Sequence, residues 1–403
     1  MAALERLRQR IDPIVGRETV SLAQAAGRVL AAPLVSPRPV PAFDNAAVDG
    51  FAFAATSQAS TGPTRLALVA DRAAAGHPAA AVVPPGHAMR VLTGAVMPAG
   101  TDTVAMQEEV IEDGSSLTLA RPMRPSSNRR RAGEDIAAGA ALFAPGLVLR
   151  PHHVAVAAEI GLAYLPVFKR LRLALLSSGD ELREPGGSLP PGALFDANRY
   201  LLQGLLRNLP VEVDDLGILP DDAGAVASAM LAAADTHHVI LTSGGASRGD
   251  EDHVVRTVER HGRLHFWQIA MKPGRPLAFG NLGEALTIGL PGNPVAAAVC
   301  FMRLARPVLA RLAGADWLEP RAFTVPAAFA MTKKPGRTEL LRARLVPDEA
   351  GSGHAAEVIR RQGSGILTSL TDADGLVEVA DSTTTIARGD PVKFFSFNEL
   401  GAA

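Results

Sequence analysis

Carboxylates, a few cations and small residues recur in short polar loops of this chain, and each loop follows an apolar run. The acids are Asp180 and Glu181, Asp221 and Asp222, and Asp250 and Asp252. The cations are Lys272 and Arg275, and the small residues are Ser243, Gly244, Gly245 and Gly292. Carboxylates of this kind suit Mg²⁺, a hard cation that takes oxygen ligands and keeps waters and substrate phosphates around it. Lys272 and Arg275 suit a phosphate or another oxyanion. Glycine just past a strand end lets a ligand approach backbone N–H groups. Together these groups point to Mg²⁺-assisted chemistry on a phosphate or anhydride. Each also has a plainer use. Asp221 and Asp222, like Asp250 and Asp252, fall where a helix starts and would cap it. Glu181 could pair with a surface cation, and Arg129, Arg130 and Arg131 could form a solvated face.

The elements that must position these residues follow from pattern. From 171 to 312 the rhythm is strand, loop, helix. Strands are expected at 171–176, 211–216, 238–242, 264–269 and 285–289. A helix follows Asn198 as N-cap, another starts at Asp221-Asp222, a third runs 252–261 to Gly262, and a long one starts at Asn293-Pro294 and ends near 312. Strands alternating with helices imply a mostly parallel, doubly wound sheet. Ligands of such sheets bind at the carboxyl ends of the strands, where these polar loops would share one rim. Upstream, helices are expected at 3–12, 20–32 and 151–160, the second capped by Thr19 or Ser21 and ended by Pro33. Pro37, Pro39 and Pro41 make an extended connector. Between about 52 and 132, short strand candidates (65–69, 88–92, 103–106, 117–120) punctuated by Gly and Pro imply a small inserted β domain. Short strands return from about 318, at 338–345, 357–360, 376–380 and 391–397, and imply a C-terminal β domain.

Composition narrows the function further. The chain has 403 residues, 47% of them apolar, and a net charge of −1. That length allows two to four domains. The charge balance argues against nucleic acid or a membrane surface as partner, since both call for a basic face. One cysteine, Cys300, excludes an intrachain disulfide and a cysteine metal site and fits a reducing compartment. No secretory signal or membrane span is legible, so a cytoplasmic protein is expected. No G-x-G-x-x-G opens a helix, and neither a Walker loop nor a G-x-S-x-G elbow occurs. His152-His153 and His237-His238 are adjacent pairs whose side chains diverge, which makes them poor metal sites.

The loops also match a known set in order. These are Asp44-Asn45-x-Ala47-x-Asp49-Gly50, Thr93-Gly94, Arg130 with Gly133-Glu134-Asp135, and Ser178-Gly179-Asp180-Glu181-Leu182. They continue with Ser243-Gly244-Gly245-x-Ser247-x-Gly249-x-x-Asp252, Lys272-Pro273-Gly274 and Leu290-Pro291-Gly292-Asn293-Pro294. With them the chain resembles the molybdopterin molybdotransferases, the MoeA family, to which the E domain of gephyrin is related. The resemblance covers nearly the whole chain. It implies an elongated N-terminal domain (1–50 plus 133–165), an inserted β domain (51–132), a MogA-like α/β domain (166–314) and a C-terminal β-barrel (315–403). It implies Mg²⁺-dependent insertion of molybdate into adenylylated molybdopterin with release of AMP. The enzyme would be a homodimer whose site is shared between chains.

Carried over by motif, Asp49, Thr93, Arg130 and Asp135 would be partner-side residues. Glu181, Asp221 or Asp222, Asp252 and Lys272 would be α/β-side residues, and Ser364 would come from the C-terminal domain. Asp252, Glu181, Lys272, Asp49 and Thr93 would be catalytic. Asp252, Glu181, Asp221 and Asp222 would face Mg²⁺. Ser243, Gly244, Gly245, Ser247, Arg275, Pro291, Gly292, Asn293, Arg130, Asp135 and Ser364 would bind substrate. Molybdopterin adenylyltransferase and apo-molybdoenzymes are expected partners. The chain departs from the family at Ala46, Val48 and Phe51, and at Gln268, where some members carry a lysine after the tryptophan (here Trp267). Arg275 replaces a lysine and keeps its charge. Two other functions compete with this one: a non-catalytic gephyrin-like scaffold, and the adenylyltransferase step itself.

Overall fold

The computed structural model describes residues 8–245, 253–348, 351 and 353–402. The chain forms two compact units, one made of residues 33–144 and 151–163, the other of the remainder. Among the described residues no helix is long and apolar enough to cross a membrane.

The first unit is built on a six-stranded sheet of Gly50–Phe53, Thr64–Ala73, His87–Val91, Thr103–Met106, Val110–Glu112 and Ser116–Leu119. The four strands expected from sequence are all present, joined by Gly50–Phe53 and Val110–Glu112. Gly50 is fixed by close packing, because a Cβ there would lie 1.9 Å from the Ala105 carbonyl oxygen. Phe51, Phe53, Leu66, Leu117 and Leu119 fill one face of the sheet. A helix at Pro151–Glu159 belongs to this unit and stops at Gly161, whose φ is +84°.

The second unit holds the α/β layer. Its elements are β1 (Leu171–Ser178), α1 (Ala197–Leu206), β2 (Val211–Leu219), α2 (Ala223–Thr236), β3 (Val239–Ser243), α3 (His253–His261), β4 (Arg263–Gln268), β5 (Pro276–Leu282), β6 (Ala285–Leu290) and α4 (Pro294–Cys300). The sheet order is β2-β1-β3-β6-β5-β4. β2, β1, β3 and β6 are parallel; β5 runs against them, and β4 at the edge pairs antiparallel with β5 and so runs their way. Alternate residues face opposite sides of a strand. Leu171, Leu173 and Leu175 therefore pack with Leu202, Leu205 and Leu206 of α1, and Ala174 and Leu176 pack with Val226 and Met230 of α2 and Val254 of α3. Burial on both faces explains why β1, β3 and β6 read as apolar runs, whereas β2 at the sheet edge carries Glu212, Asp214 and Asp215.

Several expectations need correction. The helix expected at 20–32 is a strand, Arg17–Ser21, followed by a four-residue helix, Leu22–Ala25. Thr19 and Val20 are β-branched, and Gly27 at φ +77° turns the chain out of the helical region. β5 was not expected, because it opens with a proline and contains Gly280. That glycine is required: a Cβ there would lie 2.6 Å from the Arg263 carbonyl oxygen across the β4–β5 pair. The N-cap of α1 is Asp196, whose carboxylate accepts the Arg199 N–H at 3.1 Å, and not Asn198. Asn293 holds the position before α4, but its side chain makes no capping bond. Of the helix expected at 3–12, residues 8–12 are described: Arg8, Gln9 and Arg10 are helical, while Ile11 and Asp12 are not.

Farther along, β7 (Phe323–Pro326), β8 (Thr338–Pro347), β9 (His354–Val358), β10 (Gly375–Val379) and β11 (Pro391–Ser396) form the C-terminal sheet. Pairing runs β9-β8-β10-β11-β7, all antiparallel. A single bridge between Ala327 and Ala356 links the end of β7 to β9. Met271 and Lys272 pair in parallel with Thr338 and Glu339 of β8, which ties this sheet to the loop between β4 and β5.

Candidate functional site

Strand register sets the site. Ser177, Ser243 and Leu290 sit level on β1, β3 and β6, and Ile218 of β2 lies beside Ser177. The loops that follow these strands therefore leave the same edge of the sheet. β5 runs the opposite way, so its first residue, Pro276, lies at that edge opposite Gln268, the last residue of β4. The Lys272 loop between them belongs to the rim as well. The structure thus brings Asp180, Glu181, Asp221, Asp222, Ser243, Gly244, Gly245, Lys272, Arg275, Pro291, Gly292 and Asn293 to one edge. Ser247 and Asp252 lie outside the described residues.

The acids divide by role. Asp180 and Asp221 hold two loops together: Asp180 N–H donates to Asp221 Oδ2 at 3.1 Å, and Asp221 N–H donates to Asp180 Oδ1 at 3.0 Å. Each keeps its other carboxylate oxygen without a hydrogen bond among the described residues. Asp222 caps α2, its Oδ1 accepting the Ala225 N–H at 2.7 Å. Glu181 folds back over Gly179, where an added Cβ would lie 2.6 Å from its carboxylate. Among the described residues no three His, Cys, Asp or Glu side chains gather as a metal site. The donor set of Asp180, Glu181 and Asp221 is all oxygen. It fits Mg²⁺ bound by one or two carboxylates, with water and substrate phosphate completing its shell.

Two glycines shape the loop after β3. Gly244 and Gly245 have φ of +91° and +68°. A Cβ on Gly245 would lie 2.5 Å from Val254 Cγ2. Gly244 N–H extends the ladder to Leu290 O at 3.2 Å. Of these two glycines, Gly245 is the one whose N–H makes no hydrogen bond among the described residues.

On the cation side, Lys272 Nζ lies 3.2 Å from Glu339 Oε2, with its side chain more than half exposed and Glu339 nearly buried. Arg275 Nη2 donates to Gln268 Oε1 at 3.3 Å. Gln268, the departure noted above, orients a cation without adding one. Ser364 arrives from the C-terminal sheet: its carbonyl accepts the Val295 N–H at 3.0 Å, which places it over the first turn of α4 beside Asn293.

Two residues that shape this rim were not singled out from sequence. Arg342 on β8 is buried, and its guanidinium donates to Ser369 Oγ at 3.1 Å and Gly363 O at 3.2 Å, anchoring the loop that carries Ser364. Burial pushes its pKa down to about 10. Asn198, also buried, donates to Ser243 Oγ at 2.8 Å and Gly292 O at 2.7 Å. A charged residue inside an apolar strand is a usable signal for Arg342. Asn198 had none beyond its resemblance to a cap.

The other unit holds a second group. Asp49 precedes Gly50–Phe53, and its Oδ1 accepts both the Thr93 hydroxyl and the Thr93 N–H at 2.7 Å. The Thr93 hydroxyl first, then its N–H, holds the Asp49 carboxyl below its ordinary range, and nearby Arg90 adds to this. Asp44 bridges Arg129 and accepts the Ala132 N–H at 2.8 Å, with the Ala132 bond the largest cause of its lowered pKa. Arg130, in the short pair with Asn45 and Ala46, and Asp135 are exposed.

Comparison with known proteins places this arrangement. Residues 1–161 match the MoeA N-terminal region (domains I and II), 174–311 a probable molybdopterin binding domain, and 324–397 the MoeA C-terminal region (domain IV). A molybdopterin molybdenumtransferase of Haemophilus influenzae is 36% identical over 95% of this chain and 94% of its own. Molybdopterin molybdenumtransferase 2 of Mycobacterium tuberculosis is 32% identical over 92% and 93%. The crystal structure of the molybdopterin biosynthesis MoeA protein from Pyrococcus horikoshii superimposes with a TM-score of 0.84 at 29% identity, covering 98% of both chains. With three family regions in order and relatives matched end to end, the chain belongs to the MoeA family of molybdopterin molybdenumtransferases.

Proposed function

We propose that this chain is a molybdopterin molybdenumtransferase that inserts molybdate into adenylylated molybdopterin with Mg²⁺ and releases AMP. Family membership supports the transfer. The observation that carries the detailed reading is the rim itself, where five loops bring carboxylates, two cations and a glycine turn to one sheet edge. Asp221, Glu181 and Asp252 would hold Mg²⁺, which when bound offsets phosphate charge. Lys272 and Arg275 hold the oxyanion, molybdate or phosphate. Gly245 N–H and the Pro291-Gly292-Asn293 turn receive the pterin and its phosphate. Asp49 is ionised at neutral pH and keeps the Thr93 hydroxyl proton directed at itself, so Thr93 presents its oxygen as an acceptor.

The reading includes a cytoplasmic homodimer in which Asp49, Thr93, Arg130 and Asp135 of one chain complete the rim of the other. A molybdopterin adenylyltransferase would deliver the substrate, and apo-molybdoenzymes would take the product. Mixing Asp49→Ala with Lys272→Ala protein tests the shared site. Each variant alone is inactive, and random reassortment restores about a quarter of the sites. No recovery after subunit exchange has been verified refutes sharing.

A further inference from the structure

Resting on that function, we propose that Asn198 is a positioning residue. It fixes the spacing of the two substrate-binding turns and aims the Ser243 hydroxyl at an oxyanion of the bound substrate. Asn198 lies in the first turn of α1 but does not cap it, since Asp196 does. Its carboxamide is buried, and both Nδ2 hydrogens are engaged, one by Ser243 Oγ at the end of β3, the other by Gly292 O after β6. These are the two adjacent strands whose ends carry the glycine turns, and a Cβ on Gly292 would lie 3.9 Å from Gly244 Cα. One rigid planar group therefore clamps both turns.

The second consequence concerns a proton. A serine hydroxyl has one hydrogen to donate and lone pairs to accept with. Asn198 donates to Ser243 Oγ, so the Ser243 hydrogen must point elsewhere. No described residue accepts it. Its cross-strand neighbour Ser177 is fully buried, and Ser177 Oγ has no hydrogen-bond partner among the described residues. The Ser243 hydrogen is thus held ready for an acceptor from outside the fold. At this rim that acceptor is a phosphate oxygen of the substrate.

The test compares Asn198→Leu, which is nearly isosteric and has no donors, Ser243→Ala, and the double variant, all in the full-length protein. Binding of adenylylated molybdopterin without molybdate is measured by titration, KM and kcat by AMP release, and folding by circular dichroism. Each single variant should bind about tenfold more weakly, as loss of one good hydrogen bond predicts. KM should rise by the same factor, with kcat changed by less than about twofold. The double variant should lose less than the product of the two, because Asn198 acts partly through Ser243. Unchanged binding by folded Asn198→Leu, or fully multiplicative losses, overturns the inference while the function stands. If Asn198→Leu fails to fold, tight binding by Ser243→Ala alone does the same. Absence of binding by the unsubstituted protein overturns the function and this inference together.

Discussion

Gly274 is the point where the Lys272 loop meets the core, and a single methyl group there should be felt at both. Its φ is +104°, and a Cβ would lie 2.3 Å from Cys300 Sγ and 3.3 Å from Met271 Cε. Cys300 is fully buried at the end of α4, so the sulfur has nowhere to retreat. Burial pushes its thiol well up, which keeps it protonated as a weak donor to Gly274 O at 3.5 Å. Gly274→Ala combines an unfavourable backbone conformation with overpacking and should cost about 2–5 kcal/mol. Cys300→Ala alone should cost on the order of 1 kcal/mol.

In the double variant the overlap is gone but the backbone strain remains, so a coupling of about 1–2 kcal/mol should be recovered. Thermal unfolding reads this as a shift of about 2–4 °C per kcal/mol. Because Lys272 and Arg275 flank the glycine, the KM for molybdate should rise in Gly274→Ala and fall back partly in the double variant. Strictly additive effects on both stability and KM would show that the steric reasoning is wrong.

Other predictions are more local. Thr93→Val removes the largest cause of the lowered Asp49 pKa while leaving the N–H bond, so that pKa rises. An acid with a depressed pKa keeps its charge above that pKa and loses it as pH falls through it. The acid limb of activity should therefore move to higher pH in Thr93→Val and stay in place in Thr93→Ser, as a pH–rate profile would show. Asp222→Ala should lower stability by about 1 kcal/mol through loss of a cap, and Asp222→Ser should restore it. Asp221→Asn should instead lower AMP release sharply, with a shift in the Mg²⁺ concentration required. Gly245→Ala should weaken binding of adenylylated molybdopterin, since the new methyl meets Val254; equal binding would remove this glycine from the site.

Residues that act within their own segment were legible in the sequence. β1, β3 and β6 are buried on both faces, and their apolar runs report that directly. Their rim follows from topology once the strands are parallel. The residues that escaped act across the fold. Asn198 looks like a cap because its neighbours are helical, yet its bonds go 45 and 94 positions away. β5 was hidden by Pro276 and Gly280, which read as breakers but sit at the strand's first residue and at a close crossing. Arg17–Ser21 reads as the start of a helix until its pairing with Tyr164–Phe168 is seen, about 150 residues downstream. Asp221 and Asp222 look identical in sequence. Only the Ala225 and Asp180 bonds separate the cap from the loop clasp.

The central claim is that this rim performs the metal insertion. The direct measurement incubates the full-length protein with adenylylated molybdopterin, Mg²⁺ and molybdate, and follows AMP together with activation of an apo-molybdoenzyme. The account predicts that both appear together, that both need Mg²⁺, and that both are lost in Lys272→Ala and Asp252→Ala while the fold survives. AMP release and activation at the unsubstituted rate in either variant would contradict it.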